Sequence, residues 1–189
     1  MITAEARTNI DPRLDATDRA TDLMHTLMRY KVWADADLLN ALLTLPKPLG
    51  EPHATYVIAI IRHYHTVDCI FRAHLLGIPH EYTSANPTEP ATLSELQQRV
   101  REIDEWYLEY TRDLDQRELG QTLHVEFTDG DQQVLTRSDI LIHVSLHGTY
   151  HRGNVGLIMK LCGLDAPQDR FTSYLSSRAK LSERATEAH

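Results

Sequence analysis

The run Ile142-His-Val-Ser-Leu-His-Gly-Thr-Tyr-His-Arg-Gly153 sets His143, His147 and His151 four residues apart. On a helix, residues i and i+4 share one face with Cβ atoms about 5–6 Å apart, so two such imidazoles can point at one cation. Three in a row do not readily share one ion. At a rise of ~1.5 Å per residue, His143 and His151 stand about 12 Å apart along the axis. One pair is therefore the candidate chelate, and the third imidazole has another task. A lone H-x-x-x-H is also common by chance, as a solvated stripe or as core histidines. The residue after the first histidine of each pair is Val144 or Gly148. Neither is the glutamate that gives an H-E-x-x-H helix its built-in base, so that class of metalloprotease is excluded.

A second histidine-bearing run, Ile61-Arg-His-Tyr-His-Thr-Val-Asp-Cys-Ile-Phe-Arg-Ala-His74, could complete the set. His65 lies about 200° round a helix from His63, and His74 is roughly 16 Å further along the axis. At most one of the three joins the pair, and spacing alone favours His63 only weakly. No glutamate precedes a histidine by three residues, which sets aside a di-iron carboxylate bundle. Gly148, Gly153 and Gly156 also fall within the later run, each costing a helix about 0.8–1 kcal/mol relative to alanine. Their clustering suits close helix approach, space for a ligand, or a dimer face.

The chain has 189 residues, of which 11 are histidines, more than its 8 glycines or 8 prolines. Its 19 basic and 27 acidic side chains give a formal charge of −8, which argues against a protein held to nucleic acid by phosphate neutralisation. A hydrophobic content of 42% supports a packed core rather than disorder, and the length suits one domain. Cys69 and Cys162 make no disulfide framework and read as buried thiols in a reducing compartment. Residues Met1 to Ala16 lack the apolar segment of a signal peptide. The densest apolar run, Tyr56 to Ile61, is too short to span a bilayer. The expectation is a soluble, cytoplasmic protein with no nucleic-acid or membrane partner.

These residues need helices to position them. Apolar positions recur at three- and four-residue steps from about Asp18 until Pro46-Lys47-Pro48. A second helix is expected from near Pro52 to Leu76, with Gly77 as its stop, followed by a proline-rich loop over residues 78–91. Thr92 and Glu95 have capping-box spacing and open a third helix running to about Asp115. Thr122 to Thr128 alternates, Asp129-Gly130 supplies a turn, and Gln132 to Thr136 returns as a second strand. A fourth long helix follows from about Ser138 to Leu161, stopped by Gly163, and Phe171 to Arg184 forms a short terminal helix. The fold class is all-α: a four-helix bundle with a small β-hairpin between helices three and four and a short C-terminal helix. Its expected divisions are a flexible arm over 1–17, the bundle over 18–176 and a tail over 177–189.

Several of these residues together resemble the DinB family of bacterial four-helix proteins, described as metal-dependent hydrolases or thiol transferases. Tyr30-Lys-Val-Trp33 resembles an aromatic pair early in the family's first helix. His63, Asp68, Phe71 and Leu76-Gly77 resemble its second. Thr128-Asp129-Gly130 falls where the family has a turn, and Pro167-Gln-Asp169 with Tyr174-Leu175 resembles its closing segment. His147-Gly-Thr-Tyr-His151-Arg-Gly153 is the most specific part of a likeness that spans about residues 20–176. The resemblance implies a metal triad of His63, His147 and His151, leaving out His143, His65 and His74. Three neutral imidazoles suit one divalent zinc, nickel or iron and leave positions open for water or substrate. It further implies transfer of a small electrophilic molecule to a low-molecular-weight thiol, or hydrolysis. Around the triad, Asp68 is expected to orient a helix-two group or pair with an arginine, and Arg152 to pair with Asp169. Tyr150 and Tyr64 are candidates either to approach the pocket or to pack. No acidic residue stands out by spacing as a general base. A homodimer is expected. The rival reading is a non-catalytic, metal-binding dimer of the stress response.

Overall fold

The computed structural model describes residues 16–187. The arm expected over residues 1–17 lies outside these except for its last two residues, which already belong to the first helix. The order of elements is α1 (Ala16–Leu43), α2 (His53–Leu76), α3 (Leu93–Tyr110), α4 (Gln116–Leu119), β1 (Thr122–Glu126), β2 (Gln132–Thr136), α5 (Arg137–Leu161) and α6 (Phe171–Glu187). The fold is thus predominantly α-helical with one small hairpin. Helix α1 packs on α3 and α5, and α2 packs on the same two, so the four long helices close a ring of contacts.

Local chemistry explains the boundaries. Gly77 ends α2 with φ 66°, a left-handed conformation that costs glycine little, and its N–H reaches back to Ala73 and His74 carbonyls. The Thr92 hydroxyl accepts from the Glu95 N–H while the Glu95 carboxylate accepts from the Thr92 N–H, so the expected capping box opens α3. Thr136 and Asp139 form an equivalent box at the start of α5. Helix α3 stops at Tyr110 rather than near Asp115. Asp115 is extended and caps a separate turn, α4, accepting from Glu118 N–H at 2.7 Å, so its backbone does not continue the helical conformation of α3. The hairpin pairs Thr122 with Thr136 and Glu126 with Gln132, and Gly130 turns it at φ 91°. Helix α6 runs past residue 176 to Glu187, so the tail expected from residue 177 is helical through that residue.

The core is layered. At the hairpin end, Met24, Met28, Phe71, Leu75, Ile103, Tyr107, Ile140 and Val144 form one apolar cluster. At the other end, Leu38, Leu42, Val57, Ile61, Leu96, Val100, Val155 and Met159 form a second. Between them, by position along all four long helices, lies a layer of buried charge. The Lys31 ammonium of α1 pairs with Asp35 at 3.0 Å and with Asp68 of α2 at 2.9 Å, and it also donates to Asp104 of α3. Arg152 of α5 pairs with Asp35 at 3.1 Å and with Asp169, beyond α5, at 2.8 Å. The Asp169 carboxylate also accepts from the Tyr30 hydroxyl.

Two cations thus face four carboxyl groups, and the carboxyls do not all ionise together. Burial alone would raise Asp35, but Lys31 and Arg152 outweigh it and hold the group below the ordinary range. Burial pushes Asp68 up to about 6 and Asp104 well above the usual carboxylate value, against the pull of Lys31. Burial would lower Lys31, yet its three carboxyl neighbours hold it well above the ordinary lysine value, so it stays charged.

Lys31→Met removes the cation and leaves buried carboxyls uncompensated. The expected loss is about 3–5 kcal/mol of unfolding free energy, measured by denaturant titration. The raised Asp68 fixes a pH trend as well. A carboxyl that binds its proton more tightly folded than unfolded contributes stability that is full below about 4, the ordinary value, and is lost as pH rises through about 6. Asp68→Asn has no such loss, so its stability relative to the wild type should rise across that window in parallel denaturation series.

Candidate metal centre

Helices α2 and α5 lie against each other, and the histidines meet across that seam at the level of the charged layer. His63 Nε2 is 3.2 Å from His147 Nε2, and His151 Nε2 is 3.0 Å from the same atom. Ligand atoms of His63, His147 and His151 all lie within 4.8 Å of one another, and among the described residues they form the group of histidine, cysteine and carboxylate side chains with metal-binding geometry.

The protons decide what such a group can hold. His63 Nδ1 donates to the Ala85 carbonyl at 2.9 Å, which leaves Nε2 of the neutral ring as a lone pair directed at the other two. A single proton on His147 Nε2 can satisfy one of its two close neighbours, not both. His147 Nδ1 and His151 Nδ1 are buried with no hydrogen-bond partner. Burial first, then the neighbouring imidazoles, push His147 down to about 3, and burial and His63 push His151 down to about 4. Both rings are therefore neutral at physiological pH. Converging ring nitrogens of neutral imidazoles, with no proton arrangement that satisfies them all, are the donor set that suits a divalent transition metal.

The loop over residues 78–91 supplies Ala85, and Arg62 Nη1 donates to the Glu89 carbonyl at 2.6 Å, so adjacent residues of α2 anchor that loop twice. The other histidines of the two runs are not part of that group. His143 stacks on His147 with centroids 5.3 Å apart and lies 4.9 Å from Phe71. His65 Nε2 points instead to Cys69 Sγ at 3.5 Å. His74 faces His80, with centroids 5.4 Å apart.

Around the cluster, Arg152 and Asp169 pair as expected. Asp68 pairs with Lys31 rather than with an arginine, because it enters the charged layer where Lys31 reaches it first. Tyr64 is fully buried in the apolar cluster near Ile61 and Val155 and is a packing residue. Tyr150 points outward, 66% exposed, with its ring edge-on to His151 at 5.1 Å. Cys69 is buried, but Cys162 caps the end of α5 and is only half-buried, so the expectation of two buried thiols holds for one.

The H-G-T-Y-H-R-G run now reads as two interleaved faces. His147 and His151 turn to His63. Gly148 and Arg152 turn inward, and a Cβ at Gly148 would sit 3.0 Å from Arg152 Nη1 and 3.6 Å from Lys31 Cε. Thr149 accepts from Arg152 Nη2 at 3.0 Å. Spacing did not disclose Lys31, Asp35 or Asp104.

Comparison with known proteins gives the family and the fold. The family model described as the DinB family matches residues 17–186. The chain belongs to the DinB family. It is 26% identical over 160 residues to Protein DinB of Bacillus subtilis (strain 168), covering 79% of this chain and 92% of that protein. Its fold resembles the crystal structure of a DinB-like protein from Bacillus cereus ATCC 10987, with a TM-score of 0.56 at 15% identity over 74% of this chain and 91% of that one. Among the described residues, no helix is long and apolar enough to cross a membrane.

Two glycines of α5 should respond to alanine with opposite signs. Gly148→Ala crowds the Arg152 guanidinium, which must give by a few tenths of an ångström while its ion pairs with Asp35 and Asp169 hold it, and should cost about 1–3 kcal/mol, as overpacking does. Gly156→Ala meets only Ala166 Cβ at an ordinary 3.6 Å, so the gain in helix propensity of up to about 1 kcal/mol should appear. Denaturant unfolding of the two variants checks both.

Proposed function

We propose that this protein is a metal-dependent enzyme holding one divalent transition metal (zinc, nickel or iron) through His63, His147 and His151. The observation that carries the reading is the convergence of three imidazole Nε2 atoms, one of them fixed in tautomer by Ala85. Three protein ligands leave a coordination position open, the pattern of catalytic rather than structural sites. A metal held by His63, His147 and His151 would lower the pKa of a coordinated water or thiol and so would supply a nucleophile at neutral pH.

The chain's own residues set the rest. Ala85 holds the His63 ring in the tautomer that presents Nε2. On α5 the His143 ring stacks on His147 and the Tyr150 ring stands edge-on to His151, so aromatic rings flank the ligands, which suits a small molecule carrying an apolar group. The nearby buried carboxyls Asp35, Asp68 and Asp104 are committed to Lys31 and Arg152. No carboxylate joins the histidine cluster among the described residues. A reaction that needs no general base from the protein is therefore favoured, and transfer of an electrophilic small molecule to a low-molecular-weight thiol fits better than hydrolysis.

Protein as isolated should contain about one divalent metal per chain by elemental analysis, as a single three-histidine site implies. His63→Ala, His147→Ala and His151→Ala should each lose it, whereas His143→Ala should keep it. Retention by both the His147 and His151 variants would overturn the site. With metal bound, loss of a maleyl or chloro-aromatic electrophile should accelerate on adding a low-molecular-weight thiol. Metal-dependent ester or amide cleavage without thiol dependence would show hydrolysis instead. Metal binding with neither activity would favour the non-catalytic alternative.

A further inference from the structure

Helices α1, α3 and α6 enclose a cleft of about 240 Å³ to which neither α2 nor α5 contributes a lining residue. Val32, Trp33, Leu108 and Tyr174 give it apolar walls, and Ser177, Arg29 and Arg178 complete it. The rings of Trp33 and Tyr174 meet there, tilted at 52° with centroids 5.9 Å apart. Arg29 lies one turn before Trp33 on α1, and Arg178 one turn after Tyr174 on α6. Each helix thus sets an arginine and an aromatic ring on one face, and both faces line the same small space.

Charge in this space is one-sided. No aspartate or glutamate lines the cleft. Among the described residues, neither Arg29 nor Arg178 has an ion pair or a hydrogen bond. Arg101, Arg112 and Arg152, by contrast, each pair with a carboxylate. Two guanidiniums beside one small apolar space repel each other, and an anion between them relieves that repulsion while accepting from both. Their planar forks also match the geometry of a carboxylate. Tyr174 adds a second unmet demand. The residue is only 6% exposed, and its hydroxyl is buried without a hydrogen-bond partner, where buried hydroxyls normally have one.

We propose that this cleft binds a small aromatic carboxylate, its ring against Trp33, Tyr174, Val32 and Leu108 and its charge between Arg29 and Arg178. Tilted and edge-on ring pairs favour an aryl group over a saturated one of the same size. The volume falls below the ~300–1,000 Å³ of pockets for drug-sized molecules, so it suits one ring bearing one anionic group. No lining residue belongs to the histidine cluster, and the site does not depend on what the histidines hold.

Calorimetric titration of the full chain with benzoate tests the proposal, in excess chelator so that no metal competes for the carboxylate. Benzoate should bind at one site per chain with a dissociation constant of about 0.1–1 mM, the range open to a ligand of that size. Benzyl alcohol keeps the ring without the charge, and acetate the charge without the ring; each should bind about tenfold more weakly or less. Cyclohexanecarboxylate should bind about threefold more weakly for want of an aromatic face. Arg29→Gln and Arg178→Gln should each weaken benzoate about threefold to tenfold, and the double variant should show no saturable binding, with circular dichroism checking its fold. The two tryptophans are Trp33 and Trp106, so in Trp106→Phe the fluorescence reports Trp33 and should follow the same isotherm. The proposal is overturned by a wild type with no saturable binding, or by a double variant that binds like the wild type. Benzyl alcohol, acetate or cyclohexanecarboxylate binding as tightly as benzoate overturns it too, as does Trp33 fluorescence that ignores the ligand.

Discussion

The buried ammonium of Lys31 holds the arrangement on which everything else rests. It is fully enclosed and within pairing distance of carboxyls from its own helix, from α2 and from α3, while Arg152 ties α5 to the same Asp35. Removing charges from water costs several kcal/mol per ion, and their mutual attraction offsets this only when the geometry is good. Apolar side chains of similar volume could pack the same space, but they would tolerate sliding of one helix past another. An ammonium that must reach three carboxyls does not. A shift of one turn, about 5.4 Å, in any of the four helices would strand a charge in an apolar layer. The layer thus works as a register pin, with apolar clusters supplying the bulk of burial on either side of it.

That register is what the histidines need. His63 stands on α2 one turn or so before Asp68, while His147 and His151 alternate along α5 with Gly148 and Arg152. Fixing Asp68 against Lys31, and Arg152 against Asp35, therefore fixes where the two helices present their imidazoles. The seam then converts placement into chemistry through one backbone carbonyl. The Ala85 carbonyl accepts from Nδ1 of His63, and burial keeps His147 and His151 neutral, so neutral rings meet at the seam, each with a lone pair to offer a cation. Gly148 belongs to the same device. It lets the Arg152 guanidinium and the Lys31 stem lie against the α5 backbone directly beside a ligand-bearing turn.

Much of this was legible in the residues. The long helices, the hairpin and the glycine stops followed from periodicity and turn chemistry. The i,i+4 histidines announced a chelating face, but spacing alone favoured its third member only weakly, because which of the differently placed His63, His65 and His74 faces the pair depends on how α2 is set against α5. Likeness to a family supplied that choice. The charged layer left a fainter trace: Lys31 falls four residues after Leu27, Asp68 four after Tyr64, and Asp104 four after Val100. Each is a core position by period, and a reading that tracks apolar residues passes over charges placed among them. The break after Tyr110 was also written in the chain, since Asp115 and Glu118 repeat the three-residue spacing of Thr92 and Glu95. There, continuing periodicity through Leu114 outweighed the cap. The role of Ala85 had no sequence signal, because it is played by the main chain of an irregular loop.

The central claim is that three imidazoles, and no sulfur or carboxylate, bind one divalent metal at the α2–α5 seam. X-ray absorption at the metal edge of the purified protein tests it most directly. The account predicts a first coordination sphere containing three imidazole nitrogens at about 2.0–2.1 Å for zinc, together with a light-atom ligand that exchanges on adding a small anion or thiol. A sphere containing a protein sulfur, or fewer than three imidazoles, would contradict it.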